Sequence, residues 1–190
     1  MSFDATMHLQ TEILIQKFVE YINASHREPG DEWLIPEALR LGMDEYGYYD
    51  WKIQKKQISH GIEIEGGPVC RPLPEDFIYL FEHYYFPGFD LKRMFLFGNT
   101  PDNKTPFDWT HCLADGLARK AWEKRGLIQI GRPEQYNIDS ICLDTKAKKT
   151  KFGHPLIRVF REDILLDRRK WNIDHFAESF RVVLVESVNE

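Results

Sequence analysis

Cysteine is scarce in this 190-residue chain, which has only Cys70, Cys112 and Cys142. An odd number at long spacings supplies neither a redox pair nor paired zinc ligands, and points to free thiols in a reducing compartment. Long apolar runs are missing too. None approaches the roughly 20 residues of a membrane span, and residues 1–10 lack the basic-then-apolar pattern of a signal peptide. The expectation is a soluble, cytoplasmic protein without a membrane contact. There is no excess of positive charge: 25 Lys and Arg face 30 Asp and Glu, giving −5 with His neutral. Direct nucleic-acid binding needs a positive surface and is not expected, whereas a basic protein partner fits.

Catalytic motifs are equally thin. Gly66-Gly67 and Gly126 with Gly131 lack the spacing and strand-to-helix context of a phosphate loop. None of the six serines sits in a glycine-flanked nucleophile elbow. Asp108 with His111-Cys112, and His175 with Glu178, are fragments of ligand sets, whereas a closed metal site needs about four ligands. No catalytic, cofactor-binding or metal-binding residue is therefore assigned. The pairs Glu162-Asp163 and Asp139 with Asp144 could do acid–base work, but strand ends, turns and solvated faces account for them. The run Lys146-Ala147-Lys148-Lys149-Thr150-Lys151 reads as a solvated turn, since only Phe152 adds an aromatic.

What the chain does have is core material. Hydrophobic residues make up 43% and aromatics 14%, enough to exclude a disordered chain and to fill one sizeable core. Leu9, Ile13, Ile15, Phe18, Val19 and Ile22 predict an amphipathic helix over about residues 6–23. Residues 37–41 predict a short helix with Pro36 at its first turn and Gly42 as its stop. Tyr46, Tyr48, Tyr49 and Trp51 form an aromatic cluster, read as core packing with an exposed binding face as the alternative. Residues 61–74 are broken by Gly and Pro and read as irregular connection. Leu73-Pro74-Glu75-Asp76 then opens a helix, its two carboxylates facing the positive helix end.

After Pro87-Gly88 the period changes. Short apolar runs bounded by turn formers predict strands at 92–98, 127–130, 140–144 and 156–161. A helix is expected over 113–124, and a last one from Asn172 or Asp174 burying Phe176, Phe180, Val183 and Leu184. The class is α+β: a single domain with a largely antiparallel or mixed central sheet and helices packed on it.

The order of these motifs adds a resemblance. Leu73-Pro74-Glu75-Asp76-Phe77 with Tyr79-Leu80-Phe81 resembles the "LPxDF…F" helix opening of the SUKH superfamily. Residues 94–98 look like that family's first sheet strand. Gly126-Leu127-Ile128-Gln129-Ile130-Gly131 resembles its "GlipIG" strand, and Asp139-Ser140-Ile141-Cys142-Leu143-Asp144 its "D-x-hydrophobic-C-hydrophobic-D" strand. Residues 155–160 with Glu162 look like the strand and acidic residue that follow, and Ala177-Glu178-Ser179-Phe180 matches the small-x-Ser-Phe of its last helix. The resemblance covers roughly residues 51–188. It leaves residues 1–50 as a helical N-terminal extension, and residues 62–72 depart from the family pattern.

The resemblance implies a non-catalytic protein-binding module. Bacterial relatives are immunity proteins that neutralise toxins, often nucleases, encoded next door; eukaryotic relatives regulate cell-wall or glucan synthesis. A toxin-neutralising antitoxin role is the preferred expectation, with the regulator and a small Asp/His-dependent hydrolase as alternatives. The partner would be a toxin domain encoded nearby. Glu134, Tyr136, Asp139, Glu162 and Asp163 lie on either side of the 140–144 and 156–160 strands, and if those strands pair, some of these side chains are expected to gather at one sheet end as an acidic contact with an aromatic anchor. For Asp139 the competing reading is a turn cap.

Overall fold

The computed structural model describes residues 3–24, 30–57, 63–64, 67–68, 73–101, 105, 107–113, 116–166 and 168–189. Its first helical stripe is split. A short α1 (Phe3–Met7) is followed by α2 (Thr11–Ala24), which buries Leu14, Ile15, Phe18, Val19 and Ile22. The helix expected over 37–41 is a single 3-10 turn at Glu37–Leu39, which runs straight into β1 (Arg40–Met43). β1 pairs antiparallel with β2 (Tyr49–Trp51). The turn between them explains the difference. Asp44 Oδ1 accepts from the amides of Tyr46 and Tyr48, and Gly47 takes a left-handed φ of 89°, so the chain reverses instead of coiling. The N-terminal extension is therefore helical only in part.

Two small pairs follow: β3 (Gln54–Lys55), and β4 (Glu63–Ile64) with β5 (Gly67–Pro68). Cys70 and the rest of the Gly/Pro-rich connection lie outside the described residues. The helix opened by Pro74 is α3 (Glu75–His83), which buries Phe77, Leu80 and Phe81. β6 (Tyr84–Tyr85) leaves it to pair with β3.

The main sheet is a meander. Its strands are β7 (Phe89–Asp90), β8 (Phe95–Leu96), β9 (Leu127–Arg132), β10 (Ser140–Asp144), β11 (Leu156–Val159) and β12 (Ile173–Ala177). They lie in the order β12-β11-β10-β9-β8-β7, each antiparallel to the next. Between β8 and β9 the chain forms α4 (Trp109–Leu113) and α5 (Gly116–Arg125). Between β11 and β12 it forms α6 (Arg161–Leu165), and α7 (Phe180–Val188) closes the order. The α+β class and the antiparallel sheet agree with the sequence reading.

The last helix does not start at Asn172 or Asp174. Residues 173–177 are an edge strand whose register places Ile157 opposite His175 and Leu156 opposite Ala177. Asp174 and His175 face solvent, as an edge strand permits. Ser179 accepts from the Val182 amide and caps the helix that follows.

Phe95, Phe97, Ile128, Ile130, Ile141, Leu143, Ile157 and Val159 are all buried in one cluster that also holds Trp171 and Phe180. The centre of the helical side is aromatic: Phe77 stacks on Phe81 at 4.1 Å and meets Trp109 and Phe180 edge-on. The two glycines of the β9 motif have separate reasons. Gly126 turns the chain out of α5 with a φ of 82°. Gly131 lies so close to β8 that a Cβ there would stand 2.2 Å from the Phe95 carbonyl oxygen.

Arg181 on α7 joins the helical elements. Its Nε and one terminal nitrogen donate to the two carboxylate oxygens of Asp76, at 2.9 and 2.6 Å. The other nitrogen donates to the carbonyls of Met7 and Leu9, and a further bond reaches Thr11 Oγ1. Asp76 is buried and Arg181 largely so.

Removing one partner strands the other charge, so Asp76→Ala should cost about 3–5 kcal/mol, measured by urea denaturation. Replacing both by apolar residues of similar size should recover most of that loss. Leu143 is fully buried, and Leu143→Ala should cost about 2–5 kcal/mol in the same measurement; a loss below 1 kcal/mol would mean that β10 does not sit in the core.

Candidate functional site

Two of the three connections between the last four strands leave from one end of the sheet. Ser140 stands opposite Val159, and Val159 opposite Ile173, so the start of β10, the end of β11 and the start of β12 are level. The 133–139 loop and α6 with its following loop therefore emerge side by side. This end holds all five candidate contact residues, but in two different conditions.

Asp139 and Asp163 are turned inward. Asp139 accepts from Arg158 Nε and one terminal nitrogen at 3.0 and 2.6 Å, and its other oxygen accepts from the Arg161 amide at 3.1 Å. One carboxylate thus ties the β9–β10 loop to the start of α6. Asp163 is only 1% exposed. It accepts from Arg168 at 2.8 Å and from the Asn172 amide, which fixes the loop between α6 and β12. Glu134, Tyr136 and Glu162 face solvent, and Tyr136 is 72% exposed.

The same two connections carry large apolar side chains that the sequence reading did not single out, Ile138, Leu165 and Leu166, all exposed; Ile173, also exposed, borders a recess with Leu127, Asp144 and Lys146. Their signal was present. Ile138 lies beside a turn and Leu165-Leu166 ends a short helix, where no buried stripe accounts for them. The charge balance differs from the acidic surface expected. With Asp139 and Asp163 occupied, Glu134 and Glu162 share this end with Arg132 and Arg161, while the chain at Arg168 and Arg169 has run on to Arg125, which donates to both their carbonyls. Arg132 is half-buried against Phe97 and Phe107, and burial lowers its pKa, with neighbouring Arg161 acting the same way.

The other chemical fragments have local duties. Asp108 is buried and accepts from the amide and hydroxyl of both Thr100 and Thr110, which positions α4. The His111 side chain lies outside the described residues. Burial pushes the Cys112 thiol up to about 12 and raises that of Cys142 as well, so neither is a thiolate near neutral pH. His175 and Glu178 are exposed and 3.8 Å apart. Among the described residues, no three His, Cys, Asp or Glu side chains group closely enough to hold a metal ion. The basic run is a turn: Asp144 Oδ1 accepts from the amides of Lys146 and Ala147, and Lys146 Nζ donates to the Lys124 carbonyl. The aromatic cluster divides, with Trp51 buried and Tyr46 and Tyr48 exposed.

His154 went unremarked in the sequence. It lies just after this turn, at the far end of the sheet, and is 3% exposed with no hydrogen-bond partner for either ring nitrogen. Burial lowers its pKa and the Lys149 charge adds to the effect; the Asp144 backbone and carboxylate act the other way without completing a hydrogen bond.

Unfolding restores an ordinary pKa of about 6.5, so below that pH the unfolded chain binds the extra proton. The stability that neutral His154 contributes is complete above about pH 6.5 and declines as the pH falls through the lowered folded value. The urea midpoint should drop from about pH 7 to about pH 5, and His154→Leu should flatten that drop. An unchanged slope in the variant would assign the acid sensitivity to other groups.

Among the described residues, no helix is long and apolar enough to cross a membrane. No protein-family model, no curated protein and no solved structure matches the chain.

Proposed function

We propose that this chain is a non-catalytic binding protein that acts in the cytoplasm by neutralising a toxin domain encoded beside it. One observation carries the binding part of this reading. Tyr136, Ile138, Leu165 and Leu166 are exposed on two connections at one sheet end, and those connections are held by the buried or half-buried carboxylates of Asp139 and Asp163. Exposed apolar side chains cost stability nothing to remove, yet here internal ion pairs hold in place the loops that carry them. A surface ordered before binding loses less conformational entropy on contact. An exposed tyrosine flanked by aliphatic side chains has the composition of an interface anchor. The SUKH resemblance supports the toxin-neutralising part, because its bacterial relatives are immunity proteins.

The test is binding of the purified chain to the protein encoded beside it. A Tyr136→Ala/Leu165→Ala variant should speed dissociation at least tenfold, about 1.4 kcal/mol or more, while its melting temperature stays within about 2 °C of wild type. Glu134→Gln/Glu162→Gln should change the association rate less than threefold, because the surface is mixed in sign. No binding by the folded wild-type chain would overturn the toxin reading, and wild-type dissociation from the double variant would move the contact elsewhere.

A further inference from the structure

The net charge of the chain comes from one segment. Residues 31–50 carry six carboxylates, namely Asp31, Glu32, Glu37, Asp44, Glu45 and Asp50, against the single Arg40. The remainder carries 24 acidic and 24 basic side chains, 30 less six and 25 less one. The whole formal charge of −5 thus resides on the β1–β2 hairpin and the turn that leads into it.

The same segment exposes apolar surface. Trp33, Leu41, Met43, Tyr46 and Tyr48 are all exposed, Tyr46 at 77%. The pairing of β1 and β2 is a separate two-stranded sheet outside the main one. It is nevertheless well ordered at its base. Trp51 packs on Phe89 at 5.3 Å, and Arg40 stacks on Tyr49 while donating to the carbonyls of Ile35 and Glu32. Asn23 on α2 donates to the Ile53 carbonyl and accepts from its amide, which fastens the chain that leaves β2. The one cation of the segment is therefore committed to holding the hairpin, and Glu37, Glu45 and Asp50 stay exposed.

We propose that the 31–50 hairpin is a docking surface for a basic protein, its carboxylates meeting lysines and arginines while Leu41, Met43, Tyr46 and Tyr48 supply the apolar contact. Charge selects the occupant. Nucleic acid and anionic lipid are repelled by this segment, and a simple cation has no use for its aromatic and aliphatic side chains. A protein with a cationic, partly apolar face satisfies both features. Local charge of one sign on an otherwise balanced molecule also orients the encounter, so that the hairpin arrives first. The proposal rests on the reading that the chain works through protein contacts, but it concerns a different surface from the sheet end and does not depend on which protein is encoded nearby.

The test uses a synthetic amphipathic peptide of lysine and leucine as the probe and hydrogen exchange on the full chain as the readout. Protection should fall on amides within 40–50. Glu37→Gln/Glu45→Gln/Asp50→Asn should weaken binding about tenfold at low salt, and a control that neutralises Glu134, Asp174 and Glu178 should weaken it less than twofold. Leu41→Ser/Met43→Ser keeps the charge and should also weaken binding at least fivefold. Protection elsewhere, an equal effect of the control, or undiminished binding by the serine variant would each overturn the proposal, the last by reducing the hairpin to an ion atmosphere. Failure of the encoded neighbour to bind would count against the toxin reading alone, because this experiment does not use it.

Discussion

The guanidinium of Arg181 is the point on which the helical side of the molecule depends. Its donors reach Asp76 on α3, the carbonyls of Met7 and Leu9 between α1 and α2, and the hydroxyl of Thr11. A buried guanidinium is tolerable only when its donors are matched and a counter-charge is near. Those requirements place three helical elements against α7 at once. Apolar packing between helices permits sliding, and a planar fork of directed hydrogen bonds does not. The aromatic cluster of Phe77, Phe81, Trp109 and Phe180 then fills the space that this arrangement defines.

The same device recurs at the sheet end on a smaller scale. Asp139 and Asp163 each combine an arginine with a backbone amide of a neighbouring loop. Carboxylates that looked available for a partner are used to hold connections in place, and the side chains that they hold out are apolar. On the β1–β2 hairpin the roles divide as well: Asp44 holds the turn and Glu32 meets Arg40, while Glu37, Glu45 and Asp50 stay exposed. The molecule thus separates two kinds of acidic residue, those that build and those left for solvent or for another molecule.

How much of this was legible in the sequence depended on the range of the interaction. β10 and β11 were readable because short apolar runs between turn formers describe a strand buried on both sides. α3 was readable from Pro74 and its first-turn acids, but Asp76 was credited to the helix dipole, since nothing local reveals an arginine far along the chain. The strand at 173–177 was missed because Phe176 and Phe180 are one helical repeat apart, and edge pairing with β11 overrides that periodicity. The hairpin was missed because Asp44 and Gly47 carry the turn, while the residues around them face solvent and leave no apolar alternation. At the candidate site, residue positions were legible and side-chain directions were not. A carboxylate beside a strand reads the same whether it meets solvent or an arginine on the next strand.

The meander has a consequence for the order in which the chain can assemble. Every strand of the main sheet pairs with its neighbour in sequence, so that sheet can grow locally as the polypeptide lengthens. The helical side cannot. Arg181 lies 170 to 174 residues away from Met7, Leu9 and Thr11, and α2 packs against α7. During synthesis the apolar stripe of α2 must therefore wait, without its final cover, until α7 has been made. α1 and α2 leave the ribosome well before α7 exists to complete them, and that interval exposes the nascent chain to aggregation.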